Sequence, residues 1–299
     1  MVWLLITIAA YFFGAITHLF DKYLLKQSRT DPGVLTFYVG LLGIIGIVLA
    51  PWGLQWVGWL NLAIDLFAGA AFLTAILFFF YALNRADVSK VASLVGGLTP
   101  VFILILVFII KKESLSPAQI LSFCLIVAGS FLISLEKKRG KILLKGGLWL
   151  AIISAFLFSV SHLLSQAVYL KQGFISGFVL ARIGGCLGAL ALLLWPQMRN
   201  KLLLDLKKPR PQKALIFFVG QTCGALNFIL FNFAFTIGPI ALISALQGTQ
   251  YVFLFLMVLF LSQQAPNLIK EKINGPIILQ KIISVLLIAV GIGILALRG

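Results

Sequence analysis

Arg182 makes the strongest chemical demand of any residue in the chain. It stands eight residues into the apolar segment Ile175–Trp195. A guanidinium at that depth is costly, and such groups face a bundle interior or an aqueous cavity and find a partner there. The acids Asp21, Asp31, Asp65, Asp87, Glu113, Glu136, Asp205 and Glu271 all fall at or near the ends of apolar runs. No carboxylate is therefore expected beside Arg182. The missing counter-ion is expected on a solute, because the guanidinium fork gives a carboxylate or phosphate two parallel hydrogen bonds. His162 belongs to the preceding run, and an antiparallel hairpin sets both residues about 10–12 Å from the same edge. His18 falls close to the matching position of the first run. Histidine ordinarily titrates near neutral pH, so these two are the candidates for a proton-linked step; the plainer reading is a hydrogen bond between helices. Gln247 and Gln250 are three residues apart, on one helix face. Asn227 and Asn232 precede them, and Tyr81 closes the third run. Amides in lipid are costly unless bonded, so these side chains are expected to point inward. Arg182, His162, Gln247, Gln250, His18, Tyr81, Asn227 and Asn232 form the expected substrate-binding set.

The elements that position these residues are read from composition. The chain has 299 residues, 61% apolar and 11% charged, with a mean hydropathy of +1.10. Soluble domains carry about 25% charged residues, so an integral membrane protein is expected. Ten apolar runs are long enough to span: roughly 3–24, 34–50, 62–83, 91–110, 118–135, 146–169, 175–195, 215–236, 240–261 and 279–297. They are continuous rather than alternating, which speaks against a β-barrel. The connections are short, so an appended soluble domain is not expected. The net charge of +16 lies in loops rather than on a face and reads as a topology signal, not as a nucleic-acid surface. Nineteen Lys and Arg fall on one side of the runs and four on the other, which places both termini outside. Residues 1–20 lack a basic start and a cleavage site and read as a retained first helix. Cys124, Cys186 and Cys223 lie far apart inside apolar runs, without metal-binding spacing.

The chain reads as duplicated. Ala10–Gln27 aligns with Ala155–Gln172 at an offset of 145, and Phe79–Phe108 with Phe231–Phe260 at an offset of 152. Five runs per half put the second copy on the opposite side of the membrane, so the repeats are inverted, an arrangement common among transporters. The expected fold is all-α, with ten transmembrane helices in two inverted five-helix repeats, residues 1–139 and 140–299.

The run Phe80-Tyr81-Ala82-Leu83, then Val88-Ser89 and Val91-Ala92, Thr99-Pro100, Lys112-Glu113-Ser114-Leu115 and Ala128-Gly129 resembles an EamA domain of the drug/metabolite transporter superfamily. A looser copy follows in Phe233-Ala234, Ala241, Gln247-Gly248, Glu271-Lys272-Ile273 and Gly291. The second copy has Val252 where the first has Pro100. The resemblance implies a ten-helix bundle whose central cavity is lined by helices 1, 3, 4, 6, 8 and 9, and alternating-access movement of a small metabolite, frequently export. The expected protein is a monomeric secondary transporter in the cytoplasmic (inner) membrane. Its partners are a small organic solute, an amino acid or other anionic compound, and the lipid bilayer; no cofactor and no metal are expected. The alternatives are a flippase for a lipid-linked phosphate and a membrane-embedded enzyme. The enzyme reading lacks a nucleophile–base pair or acidic cluster.

Overall fold

The computed structural model describes residues 2–28, 31–85, 88–111, 115–134, 147–206, 211–264 and 275–298. Among them the chain is helical, with no strand. The elements are α1 (Val2–Ser28), α2 (Pro32–Leu42), α3 (Trp59–Arg85), α4 (Val88–Leu106), α5 (Pro117–Ser134), α6 (Leu148–Gln172), α7 (Phe174–Leu192), α8 (Pro196–Leu206), α9 (Pro211–Ile237), α10 (Ile240–Ala245), α11 (Gln247–Gln264) and α12 (Gly275–Arg298). Among the described residues eight helical segments are long and apolar enough to cross a membrane. Shorter apolar stretches run over Leu94–Ile110 in α4 and its continuation, and over Pro117–Ile133 in α5. Trp52, Trp56 and Trp59 are exposed around the α2–α3 connection, and Trp149 and Trp195 at the opposite end of the bundle. Tryptophans at both ends of an apolar barrel of exposed Leu, Ile and Phe are the mark of two membrane–water interfaces. The protein is an integral, multi-pass membrane protein.

Three runs differ in detail from the sequence reading. The second is not one regular helix: α2 tightens at Gly43 into a 3-10 helix that continues to Trp52. The tightening starts where the chain passes over Arg182. A Cβ at Gly46 would stand 2.9 Å from Cγ of Arg182 and 3.1 Å from the Phe178 ring, so this stretch must be bare backbone. The ninth run breaks at Leu246 into α10 and α11 without a proline, whereas α4 continues through Pro100. Residues expected as loop after the seventh run form α8. Pro196 opens it, and Arg199 Nε donates 2.7 Å to Leu193 O at the end of α7. Asp31 caps α2 through the Gly33 amide at 2.9 Å and holds Lys201 of α8 at 2.7 Å. That carboxylate raises the Lys201 ammonium above the usual lysine range.

Packing follows the small residues and serines. α3 lies on α6, where Ser154 donates to Ala75 O and Ser161 to Ala68 O, both at 2.8 Å. α3 also lies on α7 with backbones in contact: a Cβ at Gly69 would collide with Ala181 O, and one at Gly184 with Leu66 O. α1 packs on α9, where Thr17 donates to Gly220 O at 3.4 Å. α5 and α12 cross antiparallel with reciprocal contacts. A Cβ on Gly129 meets Ile288 Cγ1 at 2.7 Å and Ser284 O at 2.9 Å; one on Gly291 meets Ile126 Cγ1 at 2.6 Å and Ser122 O at 3.1 Å. The triads Ser122, Ile126, Gly129 and Ser284, Ile288, Gly291 are thus exchanged by a local two-fold axis perpendicular to the helices. The sequence stretches Lys112–Ser114 and Glu271–Ile273, and the basic loop 137–145, lie outside the described residues.

Candidate functional site: a central cavity and the cation behind its wall

A cavity of about 210 Å³ lies at mid-depth between α1, α3, α4, α6, α9 and α11. Its aromatic lining is Phe72 and Phe79 of α3, Phe158 of α6, and Phe228 and Phe231 of α9. Its polar lining is Thr17 and His18 of α1, Thr99 of α4, His162 of α6, Asn227 of α9, and Gln247 and Gln250 of α11. Five residues of the expected set therefore meet in one cavity: His18, His162, Asn227, Gln247 and Gln250.

The helices hold these groups for local reasons. Gly14 leaves α1 bare where α9 and α11 converge. A Cβ there would be 3.0 Å from Gln250 Nε2 and 3.2 Å from Asn227 Cγ, so the two amides close over the α1 backbone. Oδ1 of Asn227 is buried with no hydrogen-bond partner. Such an atom is a standing cost, and one that a donor on a bound molecule would remove. Tyr251 lays its hydroxyl on Gly96, where a Cβ would come within 1.9 Å of it. His162 is packed as an aromatic. Its ring stacks on Phe158 at 5.9 Å and meets Phe231 at 5.2 Å and Phe235 at 5.5 Å, and its Nδ1 is buried without a partner. Tyr11, Thr17 and Tyr251 line the cavity although nothing in their sequence context singled them out; Thr99, part of the Thr99-Pro100 motif, lines it as well.

Three residues of the expected set stand elsewhere. Tyr81 lines a separate pocket with Gly33, Leu77, Met198 and Lys201, near the α2–α8 contact. Asn232 is buried, accepting from Tyr169 Oη at 2.9 Å and donating to Phe228 O at 2.8 Å. Arg182 is one layer behind the cavity wall. Its guanidinium carbon lies 3.9 Å from the centroid of Phe228, 5.1 Å from Phe72 and 5.7 Å from Phe178. Ring faces stabilise a desolvated cation by about 2 kcal/mol. Its Nε is buried without a hydrogen-bond partner, and among the described residues no carboxylate pairs with it. Phe72 and Phe228 line the cavity and also lie against the guanidinium, so their rings stand between Arg182 and the void.

One of the acids read at the end of an apolar run is drawn into the bundle. Asp65 is fully buried. α3 begins at Trp59 rather than at 62, which sinks Asp65 by about a turn. The α3–α7 glycine contact then seals it. Gln172 Nε2 donates to its Oδ2, while Oδ1 has no partner. Tyr169 lies within electrostatic reach of both Asp65 and Arg182.

With this geometry in place, known proteins can be compared with the chain. Residues 1–135 match the EamA-like transporter family. EamA proteins are transporters, not enzymes. No curated protein sequence matches the chain. A crystal structure is similar over 99% of this chain and 96% of its own, with a TM-score of 0.70 at 20% identity. That likeness is one of fold.

Proposed function

We propose that this protein is a secondary transporter that moves a small organic metabolite across the cytoplasmic membrane by alternating access, outward from the cell. The carrying observation is the mid-depth cavity, lined by phenylalanines and by side-chain amides, in a chain whose residues 1–135 match the EamA-like transporter family. The solute has an apolar or aromatic body against Phe72, Phe79, Phe158, Phe228 and Phe231. Its polar head meets Asn227, Gln247, Gln250, His18 and His162. Arg182 acts at one remove, favouring a head with negative charge, so an amino acid suits this site best. A lipid-linked phosphate suits it less, because no Lys or Arg side chain lines the cavity among the described residues.

Two inverted repeats of five spans, 1–139 and 140–299, give the moving parts. The reciprocal α5–α12 contact supports this reading. So do the paired interfaces: α3 with α6 corresponds to α9 with α1, and α4 with α6 to α11 with α1. The bond from Thr17 to Gly220 falls within one residue of the counterpart of Ser161 to Ala68 at the offsets of 145 and 152. α4 and α5 complete the ten spans through their shorter apolar stretches, and the protein works as a monomer.

The test is uptake of a radiolabelled amino-acid and organic-acid panel into proteoliposomes of purified protein, with Arg182→Lys and Arg182→Gln beside the parent. At least one solute is expected to accumulate. Lys keeps the charge but not the planar stacking on Phe228, so it loses part of the rate, and Gln loses nearly all. Equal transport by the Gln variant refutes the role of Arg182; no accumulation of any solute refutes the transporter reading for this panel of compounds.

A further inference from the structure

Asp65 is the one carboxylate buried to zero exposure among the described residues, and the cavity does not use it. Its partner is unusual. Gln172, the last residue of α6, gives its amide N–H to Oδ2, yet the buried Oε1 of the same amide has no partner, and neither has Oδ1 of Asp65. Two acceptor oxygens on two touching side chains are left without a donor. An ionised carboxylate so placed carries a large desolvation cost, which a group sheds by taking a proton. One proton on Asp65 cures the defect: the carboxyl O–H becomes the donor, and the Gln172 amide, turned over, presents Oε1 to it. Two oxygens are too few to replace the shell of a metal ion and enough for one proton.

The charged and titratable surroundings fit a proton site that responds to the protein's state. α6 brings Tyr169 and, deeper, His162. α7 brings Arg182, whose charge Tyr169 also feels. α2 brings none beside it: its Tyr38 is turned to Asp205 of α8, toward the other end of the bundle, the hydroxyl donating at 3.3 Å. The described side chains of α4 bring no titratable group. Tyr169 ties the same layer to Asn232 of α9, and Gln166 of α6 donates to Phe235 O and Gly238 O at 3.2 Å. The Asp65–Gln172 pair therefore sits where α3 and α6 are joined to the α9–α10 turn, between layers that must part if that end of the cavity opens.

We propose that Asp65, held by Gln172, is a proton-binding site inside the bundle, and that its protonation and deprotonation couple solute movement to a pH difference across the membrane. The coupling part rests on the transporter reading above; the binding part does not. The proton comes from water as the carboxyl O–H forms and returns to water as it breaks.

The binding part is read by infrared difference spectroscopy of the whole protein titrated with acid, following the carboxylic-acid C=O band. A band that appears on acidification in the parent, is missing in Asp65→Asn and shifts in frequency in Gln172→Leu supports the site. A spectrum unchanged by Asp65→Asn overturns it, as does a band that responds to sodium at fixed pH instead of to protons. The coupling part is read in proteoliposomes with whichever solute of the panel is transported. Asp65→Asn is expected to keep downhill exchange of labelled for unlabelled solute and to lose accumulation driven by a pH step at least tenfold. Retained pH-driven accumulation overturns the coupling. A variant that also loses exchange is checked by its melting temperature against Asp65→Glu, which keeps the titrating group; loss of accumulation in both variants with folding intact overturns it as well. Absence of transport in the parent leaves the infrared result standing and removes only the transporter reading.

Discussion

The two sides of the bundle solve opposite problems with the same materials. Where α1, α9 and α11 meet, glycine at position 14 makes room, and the amides of Asn227 and Gln250 fill part of it while leaving a cavity. Where α3 and α7 meet, Gly69 and Gly184 bring two backbones into contact and leave no space. The first side keeps polar atoms facing a void that a molecule can enter. The second buries Asp65, Tyr169 and Asn232, with the half-buried Arg182 beside them, in a closely packed layer. Small residues therefore do not by themselves mark a binding site; what matters is whether the neighbours opposite them are side chains that can move or backbones that cannot.

The largest expected effect lies on the closed side. Gly184→Leu drives a side chain into Leu66 O, against a backbone that has nowhere to go. Overpacking of this kind costs about 1–3 kcal/mol and more when backbone must shift. The protein is expected to lose its sharp thermal transition in detergent, and with it the Asp65 infrared band. A Gly184→Leu variant that melts like the parent would break the comparison. Second in size is Gly96→Leu on the open side. Its Cβ meets only the hydroxyl end of Tyr251, which can swing away, so folding survives. The displaced ring enters the cavity, and solute exchange is expected to fall about a hundredfold, the loss of roughly 2.7 kcal/mol of binding. Exchange at the parent rate would show that the cavity is not the path.

Third come Asn227→Ala and Gln250→Ala. Each removes one hydrogen-bonding group from the cavity wall, worth about 0.5–1.5 kcal/mol. KM is expected to rise about three- to tenfold, with the maximal rate little changed. A drop in maximal rate at constant KM would assign these amides to the helix contact over Gly14 rather than to the solute.

Much of this contrast was legible in sequence, and the misses have physical causes. Polar residues in apolar runs had to turn inward, because lipid offers them nothing, and His18, His162, Asn227, Gln247 and Gln250 did meet at one cavity. Arg182 turned inward as well but found rings instead of an acid, since Phe72, Phe178 and Phe228 are indistinguishable in sequence from lipid-facing phenylalanines. Asp65 looked like an end-of-helix residue because hydropathy starts its run at 62, while the helix begins at Trp59. Its burial comes from Gly184, a residue distant in sequence. The spacing Ser-x₃-Ile-x₂-Gly, shared by 122–129 and 284–291 at an offset of 162, was visible in the letters. Only the reciprocal packing of α5 on α12 reveals what that spacing does.

The smallest effect is expected outside both sides, at the salt link between Lys201 of α8 and Asp31 at the start of α2. The bond is short, 2.7 Å, but Lys201 is 47% exposed on its side chain and Asp31 27%. Solvent screening leaves exposed pairs about 0.2–1 kcal/mol. Asp31 also caps α2 through Gly33, a second role that Lys201 lacks. Removing the lysine alone therefore tests the link, and removing the aspartate tests the link plus the cap, which is worth about 1 kcal/mol more. Lys201→Ala is expected to shift the melting temperature barely, Asp31→Ala visibly, and neither to change solute exchange at saturating concentration. The sign with pH follows from the direction of the lysine's shift. Its raised ammonium stabilises the fold below the unfolded lysine pKa, and that contribution fades as pH rises through the folded value. The difference between parent and Lys201→Ala should accordingly shrink in strongly alkaline buffer. Should Lys201→Ala instead abolish exchange, the pocket shared by Lys201 and Tyr81 would belong to the transport path, and the division between an open and a closed side would have to be redrawn to include it.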